Sequence, residues 1–158
     1  MITRGLLLFG AVLVFGGVNW QIADKERLRA NGQTVYLELA PIDPRSLMQG
    51  DYMALNFAVA RAISGVVSQE DSGSHAAILE LDQRRVGAFV RLDDGAPLGP
   101  GEMRFRFRMR NGAVWLGTNA FFFHEGDAER YNDARLGEFR VDESGDAMLV
   151  DLRDKDLR

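Results

Sequence analysis

The sequence contains no cysteine and only two histidines, and both scarcities exclude types of chemistry. Without cysteine the chain forms no disulfide, offers no thiolate nucleophile, carries no lipoprotein anchor and holds no zinc or iron–sulfur cluster through sulfur. The acids that follow His124 match no helical metal-ligand pair, so the sequence predicts no metal site and no cofactor. The net charge of −4 argues against a general nucleic-acid-binding protein.

One long apolar run is present, over residues 5–18 (GLLLFGAVLVFGGV). Continued as a helix to residue 23, it would measure roughly 28 Å, close to the hydrocarbon thickness of about 30 Å. Trp20 lies just beyond the run, where an amphipathic ring suits the headgroup region. The alternative is a cleavable signal peptide, but the possible cleavage sites carry a bulky residue at −3. The expected organisation is a head (1–4), a transmembrane anchor (5–23), a helical stalk (24–32) and a β domain (33–158).

The orientation of this anchor is less strongly determined by the basic residues. Lys25, Arg27 and Arg29 follow the run and only Arg4 precedes it, so a count of basic residues would place the domain in the cytoplasm. However, the head is too short to hold a domain, and an N-terminal anchor usually exports the domain that follows it. We therefore expect a single-pass protein with its domain outside the cytoplasm.

The remaining part, about 125 residues, is long enough for one domain with its own core. Short alternating segments separated by turn residues predict roughly eight strands in an antiparallel sandwich or barrel-like domain. Residues 52–60 are predicted as one of these strands, with alternate side chains facing inward. Residues 127–136 (DAERYNDARL) are predicted as the single short helix of the domain, ending at Gly137.

A strictly alternating segment over residues 102–110 (EMRFRFRMR) predicts a strand with arginine on one face. Asn111 and Gly112 then predict a type I′ hairpin turn, which would place Trp115 opposite Arg108 in a cation–π contact. We call this face the arginine stripe: Arg104, Arg106, Arg108 and Arg110, with Trp115. It is interpreted either as the wet side of a sheet, paired with neighbouring acids, or as a surface for anionic lipid headgroups or an acidic partner.

Residues 39–57 (LAPIDPRSLMQGDYMALNF) combine two prolines with Gly-Asp-Tyr and a leucine three residues later. This segment resembles the signature of the bacterial GDYXXLXY family, although Phe57 stands where the name has tyrosine. Residues 19–26 and 123–141 are similar to the family's anchor exit and to its C-terminal block. The resemblance implies a protein anchored in the bacterial inner membrane, often encoded beside a large multi-pass protein, in a family without established activity.

The motif loop, as residues 41–55 are called here, has three interpretations: a stiff connector between strands, a docking or ligand loop, and a catalytic loop. Its prolines fix φ, and its glycine and aspartate favour a tight turn before a strand. Ser46 has no base near it in sequence, so no nucleophile and base pair is visible and we expect no enzyme. The residues assigned to the loop are Pro41, Asp43, Pro44, Arg45, Gly50, Asp51, Tyr52 and Leu55.

The resemblance and the anchor together predict a non-enzymatic accessory domain that docks onto an integral membrane protein, with the bilayer contacted through residues 5–23. The rival hypothesis is a periplasmic hydrolase or small-ligand-binding domain that would use Asp43, Arg45, Asp51 and Tyr52. Neither hypothesis specifies the partner, the ligand or the oligomeric state.

Overall fold

The computed structural model describes residues 2–40, 48–49, 52–68, 73–118, 120–123, 128–131 and 133–158. Side chains are described in these ranges except at residues 2–8, 48, 49, 52, 128 and 129. The helices are α1 (Ile2–Asn31) and α2 (Ala58–Ser64), with a 3₁₀ turn at Ala128–Tyr131. The strands are β1 (Gln33–Glu38), β2 (Met48–Gln49), β3 (Tyr52–Ala54), β4 (Gly73–Leu81), β5 (Gly87–Leu92), β6 (Glu102–Arg110), β7 (Ala113–Trp115), β8 (Ala120–Phe122), β9 (Leu136–Val141) and β10 (Ala147–Arg153).

These strands form antiparallel sheets with a half-barrel, so the prediction of a mainly β, antiparallel domain is confirmed. The strand orders are β1-β9-β10, β5-β4-β6-β7 and β2-β3-β8. The two larger sheets meet in an aromatic core, because the ring of Phe139 on β9 makes edge contacts with Phe105 on β6 at 5.6 Å and with Phe57 at 5.3 Å. Burial of such rings is the main stabilising contribution of a domain of this size.

Helix α1 ends at Asn31, within the segment predicted as a stalk. Its last turn, residues 28–32, is called the root of α1 here and is packed against the domain. Leu28 is buried, and the amide of Gly32 donates to its carbonyl oxygen at 2.9 Å. Arg140 of β9 donates to the carbonyl oxygen of Gly32 at 3.3 Å. A Cβ on Gly32 would lie 3.1 Å from both Arg140 Cβ and Val141 N, so the backbone leaves the helix pressed against β9.

Before this root, the side chains of α1 that the structure describes are almost all exposed. Large apolar side chains are among them: Phe9, Val12, Leu13, Val14, Phe15, Val18, Trp20 and Ile22. Within the described part of the chain, no helix has both the length and the apolarity needed to span a bilayer.

The hairpin of β6 and β7 forms as the alternating pattern predicted. Asn111 and Gly112 both have positive φ, 52° and 72°, which is the type I′ geometry. The register pairs Met109 with Val114 and Arg108 with Trp115. The alternating pattern and the turn residues therefore predict this hairpin correctly, and β6 pairs with β4 on its other side.

The strand predicted over residues 52–60 is only partly correct. β3 ends at Ala54, and α2 begins at Ala58. The reason is local: alanine-rich residues 58–63 favour a helix, and Val59 and Ile63, four residues apart, both reach the core from it.

The helix predicted over residues 127–136 is wrong. The described part of that segment contains a single 3₁₀ turn, and Leu136 begins β9. β9 is the central strand of its sheet and pairs with β1 on one side and β10 on the other. These ladders account for the strand state at Leu136, where the predicted helix would have ended.

Candidate functional site

Most of the motif loop falls outside the described residues. This applies to Pro41, Asp43, Pro44, Arg45, Gly50 and Asp51. Tyr52 is described through its backbone, which pairs in β3 with Gln49 of β2 and Phe122 of β8. The ligand and catalytic interpretations of the loop therefore stay predictions.

The two ends of the motif loop are tied together. The amide of Ala40 donates to the carbonyl oxygen of Asn56 at 2.7 Å, and Leu39 forms an antiparallel bridge with Phe57. Ala40 and Leu55 are both buried. The last part of the motif thus belongs to the domain core, whatever the rest of the loop does.

The ring of Phe57 packs closely against the backbone of β9 at Gly137. A Cβ added to Gly137 would lie only 2.8 Å from Phe57 Cε1, and 3.1 and 3.2 Å from atoms of Leu149 and Phe139. Glycine at 137 is what leaves room for the aromatic ring at 57. Sequence reasoning had placed Gly137 at the end of a helix and missed this contact between the motif and the C-terminal block.

The arginine stripe divides into a paired and an unpaired half. Arg104 Nε donates to Asp93 Oδ2 at 2.5 Å, and Arg106 lies 3.3 Å from Asp146 Oδ1. The exposed side chain of Arg108 has no ion-pair partner among the described residues. The paired half, Arg104 and Arg106, matches the interpretation as a solvated sheet face. The unpaired half, Arg108 and Arg110 with Trp115, forms a basic surface.

The cation–π contact predicted for Arg108 is made by Arg110 instead. The Arg110 guanidinium lies 5.8 Å from the centre of the Trp115 ring, whereas Arg108 is the residue directly opposite Trp115. Trp115 is thus the diagonal cross-strand neighbour of Arg110, a position within reach of long side chains. The register prediction was right, and the choice of the partner was wrong.

The pair of Arg104 and Asp93 predicts a pH-dependent part of the stability. Hydrogen bonds from Arg104 and from the Gly95 amide lower the pKa of Asp93 below its ordinary value of 3.8. Because the folded-state pKa is the lower one, this stabilisation is present above pH 3.8 and is lost as the pH falls through the folded-state pKa. We expect Asp93→Asn to lower the free energy of unfolding at pH 7, and this loss to shrink at pH 3.

Urea titrations of Asp93→Asn and of the unsubstituted chain at the two pH values measure this difference. Asp133→Asn is the matched control, since Asp133 is exposed and has no ion-pair partner within the described ranges. An equal loss of stability at pH 7 and pH 3 would contradict the assignment of the effect to the Asp93 carboxylate.

One buried charge was missed in the sequence. Glu138, in the middle of β9, is only 7% exposed. Arg153 Nε of β10 donates to its Oε2 at 2.8 Å, and Arg140 Nη2 lies 3.8 Å from its Oε1. The hydrogen bond to Glu138 raises the pKa of Arg153 above its usual value, and Arg153 also contacts Asp151 at 3.2 Å. The available signal was an acid placed between Gly137 and Phe139, with an arginine two residues later in the same strand.

This arrangement stabilises the sheet and leaves little capacity for acid–base chemistry. Both carboxylate oxygens of Glu138 face guanidinium groups, those of Arg153 and Arg140. A general base needs a free oxygen within reach of a substrate proton. Glu138 and Arg153 are therefore interpreted as a structural salt bridge that joins β9 to β10.

A cleft of about 600 Å³ lies beside the root of α1. One wall is the last turns of the helix, with Asp24, Arg27 and Leu28. Leu98, the start of β6 and the turn that follows β9 also line the cleft. Among the described residues, no group of three or more histidines or acids is arranged to hold a metal ion.

The model of the GDYXXLXY protein family matches residues 14–152, which is most of the chain. The chain belongs to this family. Comparison with curated proteins and with solved structures finds no significant match. The resemblance inferred from residues 39–57 is thereby confirmed.

The contact between Phe57 and Gly137 involves the motif of the GDYXXLXY family. It joins the final position of the motif that gives the family its name to the glycine of the C-terminal block. In this chain that motif position lacks a hydroxyl, and the ring is buried. Its role here is therefore packing.

Proposed function

We propose that this GDYXXLXY protein is a membrane-anchored, non-enzymatic accessory domain that docks onto an integral membrane protein. The anchor is residues 5–23, and the domain lies on the periplasmic side of a bacterial inner membrane. The observation that carries the proposal is helix α1, whose apolar side chains between Phe9 and Ile22 are exposed and make no part of the domain core. A helix that is apolar on all its sides is stable when an apolar environment surrounds it.

The fixed root of α1 supports the same proposal. Leu28 and Gly32 join the helix to β9 without a flexible linker. A domain held this way meets a membrane partner in one orientation, which lowers the entropy cost of association. A simple tether would not require such a junction.

The docking surface is the unpaired half of the arginine stripe. Arg108 and Arg110 are exposed, and Trp115 next to them is half-buried. Arginine and tryptophan are enriched among the residues that contribute most to protein interfaces, since both bury a large area and donate hydrogen bonds. The occupant proposed for this surface is an acidic face of a multi-pass membrane protein.

The test is recovery of a tagged full-length chain from native membranes in mild detergent. We expect one multi-pass membrane protein to be recovered with it in roughly equal amount, as in a stable complex. We expect the pair Arg108→Glu and Arg110→Glu to abolish that recovery while the domain stays folded, because opposite charge at the interface repels an acidic face.

The matched control is Lys155→Glu with Arg158→Glu, which makes the same charge change near the C-terminal end. This control should recover the partner as well as the unsubstituted chain does. Recovery of the tagged chain alone, or equal recovery with both double variants, would contradict docking through the stripe.

A further inference from the structure

A short uncharged loop stands beside the root of α1, over residues 95–101 (GAPLGPG). All of it is exposed, and Leu98 at its centre keeps 41% of its surface in contact with solvent. Leu98 lines the same cleft as Asp24, Arg27 and Leu28 of the helix. Leu98 and the last turns of α1 therefore face the same cleft.

The shape of this loop is fixed at both ends by carboxylates. At its start, Asp93 and Asp94 accept hydrogen bonds from the amides of Gly95 and Ala96, each at 3.1 Å. At its end, Glu102 accepts one from the amide of Gly99 at 2.9 Å. These acids are held in turn by arginines: Asp93 by Arg104, and Asp94 and Glu102 by Arg91.

The position of the loop relative to the helix is fixed too, since α1 is packed on β9 at its root. Helix residues 24–28 lie between about 1.5 and 8 Å beyond residue 23. The headgroup layer is about 5–8 Å deep on each side of the hydrocarbon. Leu98 lines a cleft whose helix wall begins at Asp24, so the near end of that cleft falls within the headgroup layer once the helix is inserted.

We infer that residues 95–101 form a second membrane contact, with Leu98 inserted at the boundary of headgroups and acyl chains in the leaflet that α1 leaves. This inference rests on the anchor of the proposed function. The lipid is a zwitterionic one, because the acids that line the cleft (Asp24, Glu102, Asp142 and Glu143) outnumber its two arginines (Arg27 and Arg104), so that an anionic surface would be repelled. With two points of attachment, the domain holds one tilt on the membrane.

The absence of cysteine makes a direct test simple. Single variants Leu98→Cys, Val66→Cys and Val14→Cys of the full chain are nitroxide-labelled in phosphatidylcholine vesicles. Val66 is 57% exposed and does not line the cleft, so it is the matched control, and Val14 reports on the anchor. The measurement is the collision rate of each label with a charged, water-soluble relaxation reagent.

We expect the rate at Leu98 to be about tenfold lower than at Val66, since charged solutes are excluded from hydrocarbon. Ala96→Cys, a second position in the loop, should give the same protection if the label at 98 has not altered the loop. High salt should leave the protection unchanged, because the contact is apolar.

The outcomes separate the inference from the proposed function. If Val14 is protected and both loop labels are as accessible as Val66, the loop contact is disproved and the anchor stands. If Val14 is itself accessible, the anchor and the loop contact are both disproved. Protection of the loop labels that appears only when a membrane protein partner is added would also overturn the lipid contact.

Discussion

Replacing Arg153 with methionine is expected to lower the free energy of unfolding by about 3 kcal/mol, because it leaves the buried carboxylate of Glu138 without its closest partner. Glu138 is 7% exposed, and its Oε2 has Arg153 Nε at 2.8 Å. Arg140, 3.8 Å from the other oxygen, is too distant to replace that bond and compensates only in part. This places the expected loss at the lower end of the range for a broken buried pair.

Urea denaturation at neutral pH measures the loss, and two further variants show its cause. Arg158→Met removes a positive charge at the C-terminal end and should change the stability by less than about 0.5 kcal/mol, as surface substitutions do. Adding Glu138→Met to Arg153→Met should recover most of the stability, because a pair of apolar side chains carries no desolvation penalty. If the double variant is less stable than Arg153→Met alone, the buried-charge explanation fails.

Replacing Gly137 with alanine is expected to cost about 2–3 kcal/mol through overpacking of the core. The new Cβ would lie 2.8 Å from Phe57 Cε1, and Leu149 and Phe139 stand within 3.2 Å on its other sides. None of the three can withdraw without disturbing the packing between the sheets. Thermal or urea unfolding measures the effect.

A second substitution tests whether Phe57 is the obstacle. Phe57→Leu removes the outer ring atoms, so Gly137→Ala should cost at least about 1 kcal/mol less in that background, a coupling typical of residues in contact. Gly99→Ala is the control, because a Cβ there would meet its neighbours at ordinary distances of 3.5 Å or more. Purely additive effects of the two substitutions would contradict the contact between the motif and β9.

The parts of the fold that the sequence predicts correctly are determined by local chemistry. The alternation over β6, the Asn111-Gly112 turn and the end of α1 are each marked by neighbouring residues, and pairing with β4 and packing on β9 then hold β6 and the end of α1 in place. β9 is different, because its strand state depends on pairing with β1 and β10, which are far away in sequence. α2 was missed because Val59, the first of its two inward residues, also fits the alternation of the strand before it.

The candidate site was predicted less well than the fold, for two physical reasons. Burial of Glu138 follows from the meeting of β9 and β10, and a single sequence does not reveal which charge will be covered. The partner of Trp115 was assigned by direct register, although a guanidinium two residues along reaches the ring more easily. By contrast, the GDYXXLXY motif identified the family from residues whose last members turn out to be core.

The buried end of the motif and the proposed docking surface lie in different parts of the chain, so experiments can separate folding from the proposed function. Leu55 and Phe57 are buried, so their substitution reports on stability. Arg108 and Arg110 are exposed, so their substitution tests binding to the proposed partner. Variants of the motif that lose function should therefore be compared with variants of the stripe before a chemical role is assigned to the loop.

Alkaline carbonate extraction of native membranes, followed by intact-mass measurement of the chain, tests the anchored state directly. The proposed function requires the protein to stay in the membrane pellet and to retain residues 5–23. A freely soluble protein whose amino terminus has been cut near residue 24 would contradict it, and with it both membrane contacts proposed for this chain.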